Sequence, residues 1–217
     1  MKKKILFASS SRADFGLLKP LILKFQSSEK YITKTIATGS HLLHSKGATV
    51  DEMKEIDIEP IDIVSDEGLE DTLSIMSYGL KVFPKAIQDF SPDLIFLLGD
   101  RFEIFSFAQC ALLLNIPIAH IHGGESTIGA IDDVFRHSIT KMSLLHFSTN
   151  EIYKRRIIQL GESPERVFNV GSLGVENVLH QKLMSKHELN QISKFKFSKF
   201  NALVTFHPET RLQKKIH

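Results

Sequence analysis

The chain has 217 residues, of which 42% are hydrophobic and 24% charged, with a formal net charge of +2. This length suits one or two domains with a real core, and the near balance of charge excludes the strong positive field expected of a nucleic-acid or membrane-binding protein. The single cysteine, Cys110 in the run FAQCALLL, excludes a disulfide framework or a cysteine zinc cluster within one chain and predicts a buried hydrophobic residue.

The N-terminal sequence MKKKILFASSS is basic and then apolar, but its apolar part is too short for a signal peptide and predicts a strand. No apolar run in the chain reaches the ~20 residues that a membrane span needs. We therefore expect a cytoplasmic protein that has no membrane partner.

Short apolar runs typical of strands alternate with segments of helical period along most of the chain. The predicted strands cover residues 5–8, 32–37, 58–64, 94–98, 117–121, 144–148 and 167–170. Predicted helices include residues 15–25, 71–90 with a kink near Pro84, and 102–114. Strands that are apolar on both faces and alternate with helices indicate a parallel sheet covered on both sides. Right-handed crossovers then predict an α/β fold with a Rossmann-like doubly wound parallel sheet.

The sequence changes character after residue 180. Residues 181–200 are polar and Lys-rich, which indicates a linker or a surface helix, and residues 202–206 (ALVTF) are typical of a new strand. We therefore predict an N-terminal Rossmann-like domain over residues 1–180, a linker or surface helix over 181–200, and the start of a truncated second Rossmann-like domain over 201–217.

Polar residues follow the ends of the predicted strands, in the stretches SSSRAD, TGS, GDR, HIHGGE, NVGS and FHP. Ligands of doubly wound sheets bind beyond the carboxyl ends of the strands. In SSSRAD, Ser10, Arg12 and Asp14 lie where a helix begins, and backbone N–H groups together with an arginine favour an anion such as phosphate. Neither GxGxxG nor GxxxxGK[ST] occurs, which argues against nicotinamide binding and against a P-loop ATPase.

Four acidic residues, Asp100, Glu125, Asp132 and Asp133, are expected at the same edge of the sheet. Carboxylates gathered in one partly buried cleft repel each other, so at least one pKa should rise. Such groups can remove and deliver protons near neutral pH. The alternatives are solvated loop acids and, for Asp100, a helix N-cap.

The stretch HIHGGE places His120 and His122 two residues apart on a strand, which would put them on one face. Two such histidines and a carboxylate can ligate zinc. Gly123 and Gly124 indicate instead that a ligand approaches the backbone closely.

Three further basic groups are candidates for the site. Arg136 and His137 come one helical turn after Asp132 and Asp133, so they could contact a ligand or pair within their own helix. His207, directly before a proline at a predicted strand end, is a candidate donor to a charged oxygen.

Six motifs in order along the whole chain carry a family resemblance. They are SSSRADFGLLKPL, LLGDRFEI, IPIAHIHGGE, GAIDDVFRHSITKMSLLHF, RVFNVGSLGVEN and VTFHP. Together they resemble the hydrolysing UDP-N-acetylglucosamine 2-epimerases of bacterial sialic acid synthesis, with a close branch that acts on the UDP-diacetamido-trideoxyhexose of legionaminic acid synthesis. The resemblance implies the N-terminal portion of a two-domain enzyme of glycosyltransferase-B type, without a cofactor or metal, and a homo-oligomer for the full-length protein.

The implied reaction converts UDP-N-acetylglucosamine and water into N-acetylmannosamine and UDP through a 2-acetamidoglucal. By family motif, Asp100, Glu125 and Asp132 would handle protons, while Arg12 and His207 would face the diphosphate. The remaining residues that the resemblance assigns to the substrate are Ser10, Asp14, Arg101, Gly123, Gly124, Arg136 and His137.

Two departures from the family pattern leave questions open. Relatives often carry a catalytic glutamate (HIEGGE) where this chain has His122, although HIHGGE is normal in one bacterial branch. Either His122 or Glu125 could fill the role of that glutamate.

Relatives also continue from HP into a full second domain, so we expect this chain to be a fragment with low activity alone. The alternatives are a retaining glycosyltransferase of the same architecture and a non-catalytic remnant that binds a sugar nucleotide weakly.

Overall fold

The computed structural model describes residues 1–43, 49, 53, 56–63, 71–193 and 197–205. Seven parallel strands form one sheet in the order β3-β2-β1-β4-β5-β6-β7. The strands are β1 (Lys3–Ser9), β2 (Tyr31–Thr38), β3 (Ile58–Ile61), β4 (Leu94–Leu98), β5 (Ile118–Ile121), β6 (Leu145–Ser148) and β7 (Val167–Asn169). The predicted α/β fold with a doubly wound parallel sheet is confirmed.

Seven α-helices lie in the described part of the chain. They are α1 (Arg12–Gln26), α2 (Thr72–Phe90), α3 (Phe102–Leu113), α4 (Asp132–Met142), α5 (Glu151–Gln159), α6 (Leu173–His180) and α7 (Lys186–Ile192). Side-chain caps mark where several of them begin, because Ser11, Asp71 and Asn150 each accept a backbone N–H of the first turn. Of these helices, none is long and apolar enough to cross a membrane.

The sheet is buried on both faces, as its apolar strands require. One core lies between the sheet and α2, α3 and α4, and includes Leu97, Phe83 and Phe107. The other lies beneath α1 and includes Phe7 and Phe96. Burying each such side chain contributes roughly 1.5–3 kcal/mol, so these two layers supply most of the stability.

Two predicted strands differ in the structure. β3 ends at Ile61, three residues before the predicted end at Val64, which lies outside the described residues. This edge strand contains Pro60, whose missing N–H an edge position tolerates. The second is the predicted strand over 202–206: residues 201–205 form no strand, because no neighbouring strand pairs with their backbone groups. The helix α7 lies within the predicted linker or surface helix and is exposed along its length.

The strand order places a crevice between β1 and β4. The chain leaves β1 through α1 towards β2 on one side, and leaves β4 through α3 towards β5 on the other. Such a reversal opens a space beyond the carboxyl ends of the two strands, where ligands of this fold bind. The stretches SSSRAD and GDR begin at this point.

Candidate active site

The segment after β1 lines the crevice with two serines and an aspartate, Ser10, Ser11 and Asp14. Ser10 Oγ donates a hydrogen bond to Asp14 Oδ2 at 3.1 Å, and Ser11 Oγ accepts one from the Asp14 N–H at 3.3 Å. Burial raises the pKa of Asp14 against the effect of these hydrogen bonds. Arg12 is the first residue of α1 and is exposed.

Asp100 stands at the centre of the site. Its Oδ2 accepts a hydrogen bond from Nη2 of Arg136, and the two side chains form a largely buried ion pair that is 19% and 10% exposed. Burial raises the pKa of Asp100 to about 6; the charge of Arg136 opposes this rise, whereas those of Asp132 and Asp14 reinforce it. The rise that the sequence predicts for at least one clustered acid is therefore found at Asp100.

Arg101 lies beside Asp100, directly before α3, and pairs with Glu103 in the first turn of that helix. Its Nε and Nη2 donate to the two carboxylate oxygens of Glu103 at 3.2 and 2.9 Å. Glu103 is 2% exposed, and burial raises the pKa of its carboxyl although Arg101 acts to lower it. Part of the Arg101 charge is therefore compensated inside the protein and is not all directed at a ligand.

The two histidines of HIHGGE do not both lie on a strand, contrary to expectation, because β5 ends at Ile121. His120 is fully buried in β5, where Nε2 lies 2.8 Å from the Gly99 carbonyl oxygen and Nδ1 lies 3.1 Å from Thr140 Oγ1. Burial lowers the pKa of His120 to about 3, so the ring is neutral, with Nε2 donating to the carbonyl. His122 lies beyond the strand end with a φ of +63°, and this left-handed turn breaks the alternation of side chains.

Gly123 and Gly124 lie where neighbouring protein atoms come close to the backbone. A Cβ at Gly123 would lie 3.0 Å from both His120 Nδ1 and Thr140 Oγ1, and one at Gly124 would lie 2.4 Å from the Tyr153 carbonyl oxygen. Protein atoms therefore occupy the space that side chains would need. These glycines allow helices α4 and α5 to pack against the turn, and the approach of a ligand to their backbone stays a prediction.

Glu125 is held at the outer part of the same loop. Thr149 Oγ1 donates to its Oε1 at 2.9 Å, and His122 Nδ1 lies 3.8 Å from that oxygen. The carboxylate side chain is 27% exposed. It is thus oriented by a neighbouring hydroxyl and partly exposed.

Helix α4 presents its first turn to the site. Asp132 begins the helix, and Asp133 Oδ1 accepts the Thr127 N–H at 2.7 Å. His137 Nε2 lies 3.8 Å from Asp133 Oδ2, so this histidine pairs within its own helix. Arg136 instead pairs with Asp100, outside the helix. Thr127 Oγ1 also accepts from Arg136 Nη1 at 3.3 Å.

The structure therefore brings together most of the predicted site. Asp14, Asp100, Asp132 and Arg136 interact electrostatically, and Arg136 also acts on His122. His207 lies outside the described residues. Among the residues with described positions, no group of three or more His, Cys, Asp or Glu side chains could hold a metal ion.

Three supporting residues escape prediction from the sequence. Glu103 could have been found as the one acid in an otherwise apolar helix. Thr127 and Thr149 carry no such signal, because their partners come from elements that only the folded chain brings near.

A doubly wound parallel sheet with an ion-paired acid, Asp100, at its switch point defines a Rossmann-like domain whose polar site lies beyond the strand ends. A family model described as UDP-N-acetylglucosamine 2-epimerase matches residues 24–217. The chain belongs to this family.

Curated relatives extend the match to the whole chain. It is 42% identical to a hydrolysing GDP/UDP-N,N'-diacetylbacillosamine 2-epimerase of Campylobacter jejuni, over 96% of this chain and 55% of that protein. It is 40% identical to polysialic acid biosynthesis protein P7 of Escherichia coli, over 96% of this chain and 54% of the relative. The chain thus spans about half the length of the curated relatives it matches.

A solved structure supports the fold. The UDP-GlcNAc 2-epimerase of Neisseria meningitidis, bound to UDP-GlcNAc, matches with a TM-score of 0.73 and 20% identity, over 81% of this chain and 48% of that one. This likeness confirms the architecture of the first domain of a glycosyltransferase-B-type enzyme.

Proposed function

We propose that this chain is the N-terminal part of a hydrolysing UDP-sugar 2-epimerase. The reaction would convert a UDP-2-acetamido sugar and water into the free 2-epimeric sugar and UDP. One observation carries the proposal: Asp100, at the switch point, has a pKa raised to about 6 by burial, with Arg136 paired to it and the charges of Asp132 and Asp14 acting on it. A carboxyl with this pKa is available both as a base and as an acid near neutral pH.

The first half of the reaction is an elimination. A carboxylate removes the proton from C2 while the C1–O bond to UDP breaks, which leaves a 2-acetamidoglucal. Asp100 and Asp132 are the proposed bases for this step, and Arg136 limits the repulsion between them. The departing diphosphate needs positive charge and N–H donors, for which the start of α1 with Arg12 is the candidate.

The second half is a hydration. The hydroxyl of water adds to C1 and a proton is delivered to C2 from the opposite face, so the sugar leaves with the inverted configuration at C2. Two acids on different sides of the sugar suit this step, since one must give a proton and another must activate water. Glu125, held by Thr149 on a separate loop, is the proposed second group.

The first candidate substrate is UDP-N-acetylglucosamine, which the family resemblance of the sequence motifs implies. Its product would be N-acetylmannosamine, used for nonulosonic acid synthesis in the cytoplasm. A second candidate is UDP-2,4-diacetamido-2,4,6-trideoxyhexose. It is favoured by relatives whose names give a diacetylbacillosamine 2-epimerase and which are 42% and 34% identical, against 28% for the UDP-N-acetylglucosamine 2-epimerase of Neisseria meningitidis.

The test measures UDP release and product formation in D2O with each sugar nucleotide. The chain is used at a concentration comparable to that of the substrate, so that a few turnovers are detected. We expect UDP and a free sugar that carries deuterium at C2 and the inverted configuration, both abolished by Asp100→Asn. Asp89→Asn, an exposed acid paired with Lys85, is the control and should leave the rate unchanged. Failure to release UDP from either substrate contradicts the proposal.

A further inference from the structure

His122 occupies a backbone position that favours glycine. It follows β5 with a φ of +63°, in the left-handed region that residues with a Cβ rarely adopt. Its N–H donates to the Phe147 carbonyl oxygen at 2.9 Å, so the pairing of β5 with β6 fixes this conformation. A side chain kept at such a position indicates a use for that side chain.

The imidazole of His122 lies among charged groups of the candidate active site. Its Nδ1 is 3.8 Å from Glu125 Oε1, and its side chain is 14% exposed. Burial lowers the pKa of His122; Glu125 acts to raise it, and Arg136 acts to lower it. The ring is therefore neutral at neutral pH.

The other ring nitrogen, Nε2, is buried and has no hydrogen-bond partner among the residues that the structure describes. A neutral imidazole carries one N–H and one lone pair. The Glu125 carboxylate favours the proton on Nδ1, so Nε2 is left as an acceptor. A buried acceptor without a partner is costly, and an O–H or amide N–H of a ligand would satisfy it.

We propose that His122 binds the sugar as a neutral acceptor, with Nε2 receiving a hydrogen bond from an N–H or O–H of the 2-acetamido sugar. This inference rests on the proposed function and deepens it. It assigns the proton transfer on this loop to Glu125, which Thr149 orients. The lone pair of His122 Nε2 is then used in binding and does not carry a proton during the reaction.

Nitrogen-15 NMR of the full 217-residue chain, labelled at histidine, tests the tautomer directly. We expect Nδ1 of His122 to carry the proton near neutral pH and the Nε2 resonance to move upfield when UDP-N-acetylglucosamine is added. A proton on Nε2 in the free chain, or a doubly protonated ring at that pH, overturns the proposal.

Two glycine variants separate binding from folding. His122→Gly removes the acceptor and relieves the left-handed backbone, so it should weaken binding of UDP-N-acetylglucosamine about threefold to tenfold without lowering stability to urea. Asn115→Gly is the matched control, because Asn115 is exposed, precedes β5 at its other end and has a φ of +58°. It should leave binding unchanged. Undiminished binding by His122→Gly contradicts the proposal.

The outcomes distinguish this inference from the proposed function. A response of His122 to the sugar nucleotide without any UDP release supports the acceptor role and counts against the reaction. UDP release while the His122 ring resonances stay unchanged supports the reaction and counts against the acceptor role. If no sugar nucleotide binds, the acceptor role is wrong, and the UDP-release assay decides separately on the reaction.

Discussion

Replacing Gly124 by alanine tests whether the glycine pair serves packing. The added Cβ would lie 2.4 Å from the Tyr153 carbonyl oxygen and 2.8 Å from Ile157 Cγ1. Neither atom can yield alone, since the first belongs to the backbone of α5 and the second to a fully buried side chain. Overpacking of this kind costs about 1–3 kcal/mol, and the φ of +77° adds about 1–2 kcal/mol. We therefore expect Gly124→Ala to lose about 2–5 kcal/mol of unfolding free energy.

Gly99→Ala supplies the matched control. Gly99 has the same φ of +77°, but no described atom outside its chain neighbours lies within 4 Å of the place that an alanine Cβ would take. This variant should therefore lose only the conformational part, about 1–2 kcal/mol. Urea unfolding followed by circular dichroism gives both values. Equal losses in the two variants would refute the packing argument.

Three further outcomes follow from buried titratable groups. Asp100→Asn should remove on the order of 3 kcal/mol of pH dependence in stability. Because the pKa of Asp100 is raised from 3.8 to about 6, the acid stabilises the fold fully below pH 3.8, and this contribution is lost as pH rises through 6. Identical stability profiles with and without Asp100 contradict this. Burial raises the Cys110 thiol pKa to about 11, so DTNB should react only after unfolding, and rapid labelling of the native chain contradicts it. His120→Ala should cost about 2–4 kcal/mol in urea unfolding, because Gly99 O and Thr140 Oγ1 lose a partner; a loss well under 1 kcal/mol refutes it.

The central strands β1, β2, β4 and β5 could be predicted because they are buried on both faces. For six strands of the sheet, β1, β2 and β4 to β7, the apolar runs give the bounds to within two residues. Burial on both faces leaves a continuous apolar run, which is a local signal. The segment 202–206 carries the same signal without forming a strand over its described residues, since a strand also needs a neighbour that no local pattern reveals.

The candidate site was predictable in its composition but not in its contacts. In a parallel sheet the carboxyl ends of the strands lie at one edge. The segments that follow β4 and β5 therefore bring Asp100 and Asp132 together. The partner of Arg136 is a different matter: helical spacing favours Asp132, whereas the structure pairs it with Asp100, 36 residues away. The left-handed turn at His122 is likewise set by the pairing of its N–H with β6, which lies beyond the reach of a local pattern.

The buried ring of His120 holds one part of the candidate site in place and leaves the loop with Glu125 outside that part. The imidazole of His120 joins β5 to Gly99 after β4 and to Thr140 in the last turn of α4. The spacing between Asp100 and Arg136, which belong to the same two segments, is therefore set by buried contacts. The loop that carries Glu125 lies outside this frame, and its outer residues 126–128 are exposed. Under the proposed function, substitutions at residues 126–128 can change contacts with the sugar while the His120 bonds keep the spacing between Asp100 and Arg136.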